Sequence, residues 1–239
     1  MIAAPALPVR AQLVRRPPVP DVQVWSLDLA DRGWDVARER ATLTDAEADR
    51  ADAGIPSVRR RRILLRAGLR RVLGGLLGLP ADRVPLAVDR GRPYLTGPAG
   101  ALQVSCSASG PVGLVAVVSG AAVGVDVQGH DAAQAGQAFA EDWLTPRERA
   151  GLAVLPTADR LVAVTRCWTQ KEAVLKGRGD GLRHPPRAVV TPVAPAGRSD
   201  GWCLAPVPVP PGFVASLAVR SARPVRVPGV ALLVPADLR

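Results

Sequence analysis

One pattern occurs twice in this chain at an offset of about 100 residues, and it constrains the fold more than any other feature. Leu43-Thr44-x-x-Glu47 recurs as Leu144-Thr145-x-x-Glu148. A Thr-x-x-Glu capping box begins a helix: the hydroxyl accepts from the third amide and the carboxylate returns to the cap amide. Each copy runs into a proline-containing break (Pro56, Pro156) and then a long amphipathic stretch, 58–77 and 158–177. In the first of these, Ile63, Leu64, Ala67, Val72 and Leu76 form an apolar stripe. Arginines take the other side, and Gly78 with Pro80 ends the helix.

Short strand candidates surround both helices. DVQVWSLDL (21–29) alternates and reads as a strand. VPLAVDRGRPYL (84–95) reads as strand, turn, strand, LQVSCSASG (102–110) as a strand, and GLVAVVSGAAVGVDVQG (113–129) as a hairpin joined at Ser119-Gly120. PRAVVTPV, GWCLAPVPV, VASLAVR and GVALLVP supply four more near the C-terminus. A long helix followed by short strands, twice, predicts an α+β fold of two similar halves packed together. The boundary falls near 120–130, giving an extended lead-in at 1–20 and halves at 21–122 and 123–239. Pockets form preferentially at such an interface.

A net charge of +10 should attract polyanions: nucleic acid, an anionic membrane, a phosphorylated cofactor or an acidic protein. The most basic stretch, RRRRILLRAGLRR (59–71), lacks the aromatic platforms that single-stranded nucleic acid favours. A basic nucleic-acid-binding protein is therefore the alternative function. Cys106, Cys167 and Cys203 are isolated, which offers no zinc spacing and no disulfide framework and suits a reducing cytoplasm. The N-terminus, broken by prolines and Arg10, shows no signal peptide, and no apolar run approaches the ~20 residues of a membrane helix.

Lysine usage marks the candidate site. Of 31 cationic residues 29 are arginines, and the two lysines, Lys171 and Lys176, flank Glu172 within CWTQKEAVLKGRGDGL (167–182). On a helix Trp168, Glu172 and Lys176 share one column, and Lys171 and Leu175 the next. A surface ion pair would work equally well with arginine, so the lysines point to a compact ammonium held for a phosphate oxygen or a tight pocket. Gly177, Gly179 and Gly181 form either a C-cap and turn or a close approach to a bound group. In the strand Gly124-Val125-Asp126-Val127-Gln128, Asp126 and Gln128 share a face. Asp126 either starts a turn or needs a cationic or N–H partner, because a buried carboxylate is costly alone. A strand carboxylate and a helix carboxylate, with phosphate or water oxygens, would suit Mg²⁺.

These residues resemble a known family. GVDVQ (124–128) is similar to the signature G-I/V-D-I/V-E, and WTQKEAVLKGRGDGL (168–182) to W-S/T-x-K-E-A/S-x-x-K-x-x-G-x-G-L. Both are signatures of the 4′-phosphopantetheinyl transferases, of the Sfp-type (surfactin-synthetase-activating) class. DRGRPYL (89–95), LTPRE (144–148) and SASG (107–110) resemble further segments, with arginine, leucine and alanine where the family has lysine, phenylalanine and histidine. The resemblance covers about residues 43–192.

It implies a pseudo-twofold pair of α+β subdomains with coenzyme A at their interface. It also implies transfer of phosphopantetheine from coenzyme A to a serine of an apo carrier protein, releasing adenosine 3′,5′-bisphosphate. Carried onto this sequence, Asp126, Glu172 and Gln128 are the Mg²⁺ ligands, Gln128 standing where the family has an acid. Lys176 neutralises charge on the transferring phosphate, with Glu172 beside it, and Glu148 deprotonates the serine hydroxyl. Arg50, Arg62, Arg90, Gly91, Arg92, Pro93, Ser107, Ser109, Lys171 and Lys176 contact coenzyme A; the serines or an arginine replace the contact that Ala108 lacks. Gln128 and Ala108 also motivate a third reading, a degenerate homologue that binds carriers without catalysis. The expected partners are coenzyme A and acidic apo carrier proteins of polyketide, nonribosomal peptide or fatty acid biosynthesis. Neither nucleic acid nor membrane is expected, and the protein is taken as a cytoplasmic monomer.

Overall fold

Both capping boxes form and both open a helix. Thr44 and Thr145 accept from the amides of Glu47 and Glu148 at 3.4 and 3.2 Å, and the carboxylates return to the cap amides at 3.1 and 2.8 Å. The computed structural model describes residues 22–130, 142–179, 184–225, 227 and 229–235; the expected lead-in at 1–20 and Gly181 lie outside them. The elements are β1 (Val22–Asp28), α1 (Val36–Arg40), α2 (Asp45–Asp52), α3 (Pro56–Leu77), β2 (Leu86–Asp89), β3 (Arg92–Leu95), β4 (Leu102–Ser109), β5 (Val112–Ser119) and β6 (Val123–Gly129). There follow α4 (Pro146–Ala153), α5 (Thr157–Arg178), β7 (Gly197–Ser199), β8 (Trp202–Pro206), β9 (Phe213–Arg220) and β10 (Val230–Leu233). None of the described helices is long and apolar enough to cross a membrane.

The strands make one sheet in the order β10-β1-β5-β4, a second in the order β6-β9-β8-β7, and the small ribbon β2-β3. Helix α3 packs Leu64, Leu69, Val72 and Leu73 on Leu27, Val104, Val115 and Val117 of the first sheet. Helix α5 packs Ala173, Val174 and Leu175 on Trp202, Leu204 and Ala218 of the second. The opposite faces meet each other: Val22, Val24, Leu114, Ala116 and Val118 pack with Val123, Val125, Val127, Leu217 and Val219. The fold is thus α+β, with a core between two sheets and a helix outside each.

Three sequence expectations give way here. The hairpin over 113–129 does not form: β5 pairs with β1 and β4, whereas β6 pairs with β9. Gly120, at φ +71°, turns the chain out of one sheet and into the other, so the apolar continuity of the two strands serves facing sheets. PRAVVTPV is a 3₁₀ turn at Pro186–Ala188 followed by irregular chain. Its carbonyls at Pro186 and Val189 and its amide at Thr191 bond to side chains and not to a strand ladder. Finally, β10 leaves the C-terminal half and pairs parallel with β1.

One contact sets the depth of the site. Helix α5 crosses β6 so closely that a Cβ on Gly124 would lie 1.8 Å from the carbonyl oxygen of Ala173 and 2.7 Å from the Gly177 amide. That approach brings Asp126, two residues along the same face, beneath the helix. Gly124→Ala should therefore force α5 off the sheet and cost at least about 2 kcal/mol in urea denaturation; an unchanged midpoint would refute the close packing.

Candidate active site between the two sheets

Strands β4 and β6 are the inner edges of the two sheets, and no backbone ladder joins them. Serine side chains do so. The amides of Val125, Val127 and Gly129 donate to Oγ of Ser105, Ser107 and Ser109 at 3.1, 3.4 and 3.0 Å. An edge amide needs a partner, and the period of two along β4 places one hydroxyl at each. Ser107 and Ser109, expected on coenzyme A, are thus engaged with β6. Ser105 was missed, although the alternation Ser-x-Ser-x-Ser in β4 was the available signal.

At the centre of this seam Asp126 is only 5% exposed. Its Oδ1 accepts from Ser107 Oγ at 2.7 Å and from Lys176 Nζ at 2.5 Å, and Lys176 also donates to Ser107 Oγ at 2.9 Å. Ser107 thereby uses its proton and both lone pairs. Glu172, one turn before Lys176 on α5, lies beside them and makes no hydrogen bond or ion pair among the described residues. Burial, then the Asp126 carboxylate, push its carboxyl above the usual carboxylate range, and Lys176 opposes them. Gln128 follows Asp126 on the same face of β6, half-buried.

Glu172 and Lys176 open onto a cleft of about 340 Å³. Its walls include Arg90, Gly91, Arg92 and Pro93 from the β2–β3 ribbon, Ser105 and Cys106 from β4, and His184, Pro185 and Pro186. The ribbon turns through Arg90 and Gly91, both at positive φ. Arg92 lies over the helix C-cap, where a Cβ on Gly179 would sit 2.6 Å from its Nη1, and its Nε is buried without a partner. Cys106 also lines a second cavity of about 340 Å³ that holds Arg50, Arg62 and Arg66. The expected cationic residues therefore fall into two adjacent cavities; Arg66 and the Pro185–Pro186 wall carried no local signal in the sequence.

Two expected site residues lie elsewhere. Glu148 and Lys171 are both 0% exposed and form an ion pair at 2.8 Å. The other donors to Glu148 are the Thr145 amide, the Thr191 amide and the Thr191 hydroxyl. Burial pushes the Glu148 carboxyl up, but Lys171, the Thr145 and Thr191 amides and the Thr191 hydroxyl outweigh it and hold it below the usual range. A carboxylate so enclosed reaches no substrate hydroxyl, and an ammonium so enclosed reaches no cofactor. Several arginines of α3 are engaged within the protein: Arg60 bonds the carbonyls of Leu29 and Asp31, Arg62 that of Ala53, Arg70 pairs with Glu47, and Arg71 with Glu39.

The donor set fits Mg²⁺: the Asp126 and Glu172 carboxylates stand on facing elements, and Glu172 lines a cleft that Arg92 also lines, its Nε buried without an acceptor among the described residues. Among the described residues no group of three or more His, Cys, Asp and Glu side chains gathers, so phosphate and water oxygens would complete the shell.

A family model described as the 4′-phosphopantetheinyl transferase superfamily matches residues 122–199, which include Asp126, Glu172 and Lys176. The chain is also 30% identical over 207 residues to the 4′-phosphopantetheinyl transferase HetI of Nostoc sp., covering 83% of this chain and 87% of that protein.

The Glu148 environment has a pH signature. A carboxyl held low in the folded protein contributes stability above its unfolded value of about 4.3 and loses it as pH falls through the lower folded value. Glu148→Gln should cost about 3 kcal/mol at pH 7, by orphaning Lys171, and progressively less below about pH 4. Urea denaturation at both pH values checks this; a deficit independent of pH would contradict it.

Proposed function

The chain belongs to the 4′-phosphopantetheinyl transferase superfamily and is a transferase of that kind. From this we propose that coenzyme A binds in the cleft between the sheets and that a serine of an apo carrier protein is the acceptor. The observation that carries the reading is the convergence of the buried strand residue Asp126 on Lys176, which with Glu172 lines the cleft.

In this reading Asp126 and Glu172 hold Mg²⁺, with the Gln128 amide oxygen beside them. The ion, when bound, neutralises pyrophosphate charge and orients its oxygens. Arg90 and Arg92 meet the pyrophosphate side. Arg50, Arg62 and Arg66 in the adjoining cavity meet the 3′-phosphate, where arginine's fork suits a terminal phosphate. Lys176 stabilises charge building on the attacked phosphate and the departing adenosine 3′,5′-bisphosphate. The serine Oγ–phosphorus bond forms as the bond to the leaving phosphate breaks. The serine proton passes to a water of the cleft, because the Glu148 carboxylate is fully buried away from it.

The two 22-residue helices, each behind a capping box and against a four-stranded sheet, support a pseudo-twofold relation. It would divide the chain near 122/123, with β10 exchanged to the first half. A net charge of +10 favours acidic carriers, and the motifs favour the Sfp-type class with polyketide or nonribosomal peptide synthesis as its setting. A reducing cytoplasm fits the isolated cysteines. The nucleic-acid reading is less favoured because Arg60, Arg70 and Arg71 of α3 are engaged within the protein.

Purified protein with Mg²⁺ and coenzyme A should add one phosphopantetheine to members of a panel of apo carrier proteins, read by mass spectrometry. No addition on any carrier refutes the proposal. Glu172→Gln should abolish turnover yet raise the metal-free melting temperature by a few °C, since it removes a buried charge opposed by Asp126. Lys176→Arg should lower kcat by about 100-fold despite keeping the charge.

A further inference from the structure

Lys171 precedes Glu172 on α5 but points into the interior. Its ammonium has three acceptors: Glu148 Oε2 at 2.8 Å, the Pro186 carbonyl at 3.2 Å and the Val189 carbonyl. Glu148 in turn accepts from the Thr145 amide at 2.8 Å and from the Thr191 amide and hydroxyl, both at 2.7 Å. One buried ion pair therefore ties three segments: the start of α4, the middle of α5 and the chain at 186–191. That last segment continues the His184-Pro185-Pro186 wall of the cleft, which faces the same space as Glu172 and Lys176.

The repeat supplies an internal control. Arg70 follows Glu47 by the same 23 residues that separate Lys171 from Glu148. Arg70 is also fully buried; it bonds Glu47 Oε2 at 2.6 Å and the Ala81 carbonyl at 3.0 Å, but its Nη2 finds no partner. A planar guanidinium leaves a donor over in that setting, whereas an ammonium matches three converging acceptors with three donors. The first half keeps arginine at this position; the second, whose tied segment lines the cleft, has lysine in a chain that uses arginine almost everywhere else.

We propose that Lys171 is a positioning residue for the transfer reaction: through Glu148 and the carbonyls of Pro186 and Val189 it sets the Pro185–Pro186 wall against Glu172 and Lys176. The proposal rests on the reading of this cleft as the coenzyme A site. It makes Lys171 act on cofactor binding without touching the cofactor, and it requires lysine at this position for geometry as well as charge.

The double variant Lys171→Met with Glu148→Gln removes both charges at nearly constant volume, a replacement that buried ion pairs tolerate. It should melt close to the wild type. Its Kd for coenzyme A by titration calorimetry should rise by about tenfold or more, and KM should rise with it, while kcat at saturation stays within about threefold. A double variant that melts normally and binds coenzyme A with the wild-type Kd overturns the proposal. If it does not fold, Thr191→Val decides, since it removes one hydroxyl bond to Glu148 and leaves both charges. A severalfold rise in Kd supports the proposal, and no change overturns it. Wild-type protein that fails to bind coenzyme A overturns the site reading and this inference with it.

Discussion

The site depends on how two sheet edges meet. Strand β6 presents the amides of Val125, Val127 and Gly129 toward β4, and these would be orphaned at an open edge. Backbone pairing would have fused the sheets into one and closed the gap. Serine hydroxyls satisfy the amides at one side chain's length, so the sheets are tied yet held apart. Asp126 lies in that seam, and Ser107 joins it to Lys176. The hydroxyls expected to bind cofactor are therefore what hold open the space in which it would bind.

The same economy governs the charges. A formal charge of +10 suggests a broad basic surface, yet many arginines of α3 cap carbonyls or pair with buried glutamates. Arg90, Arg92 and Lys176 line one cavity and Arg50, Arg62 and Arg66 a second, and the two share Cys106. The partners of each buried carboxylate set its proton affinity here. Glu172, half-buried and beside Asp126, has raised proton affinity, whereas four donors hold that of Glu148 below the usual range despite its burial. The two carboxylates could have been distinguished only by what surrounds them.

Much of the local structure was legible in the sequence because its causes are local. The capping boxes, the apolar stripe of α3, the alternation in β1 and β4, and the shared face of Asp126 and Gln128 follow from helix and strand periods and from hydrogen bonds three residues apart. The column Glu172–Lys176 followed in the same way. The buried cations were not foreseen, although Arg70 and Lys171 stand at the same spacing behind equivalent glutamates.

What the sequence determined by itself was therefore most of the local elements and their apolar faces, and it singled out Asp126, Glu172 and Lys176 as candidates. Tertiary structure alone decided partnership. It sent β5 and β6 to different sheets, returned β10 to β1, placed a helix within touching distance of Gly124, and drew Glu148 and Lys171 together out of reach of the cleft. The reason is physical: periodicity states which way a side chain points, but burial and electrostatic partners depend on residues distant in sequence. The spacing of two lysines on one helix could not reveal that one faces a cleft and the other a buried carboxylate and two carbonyls.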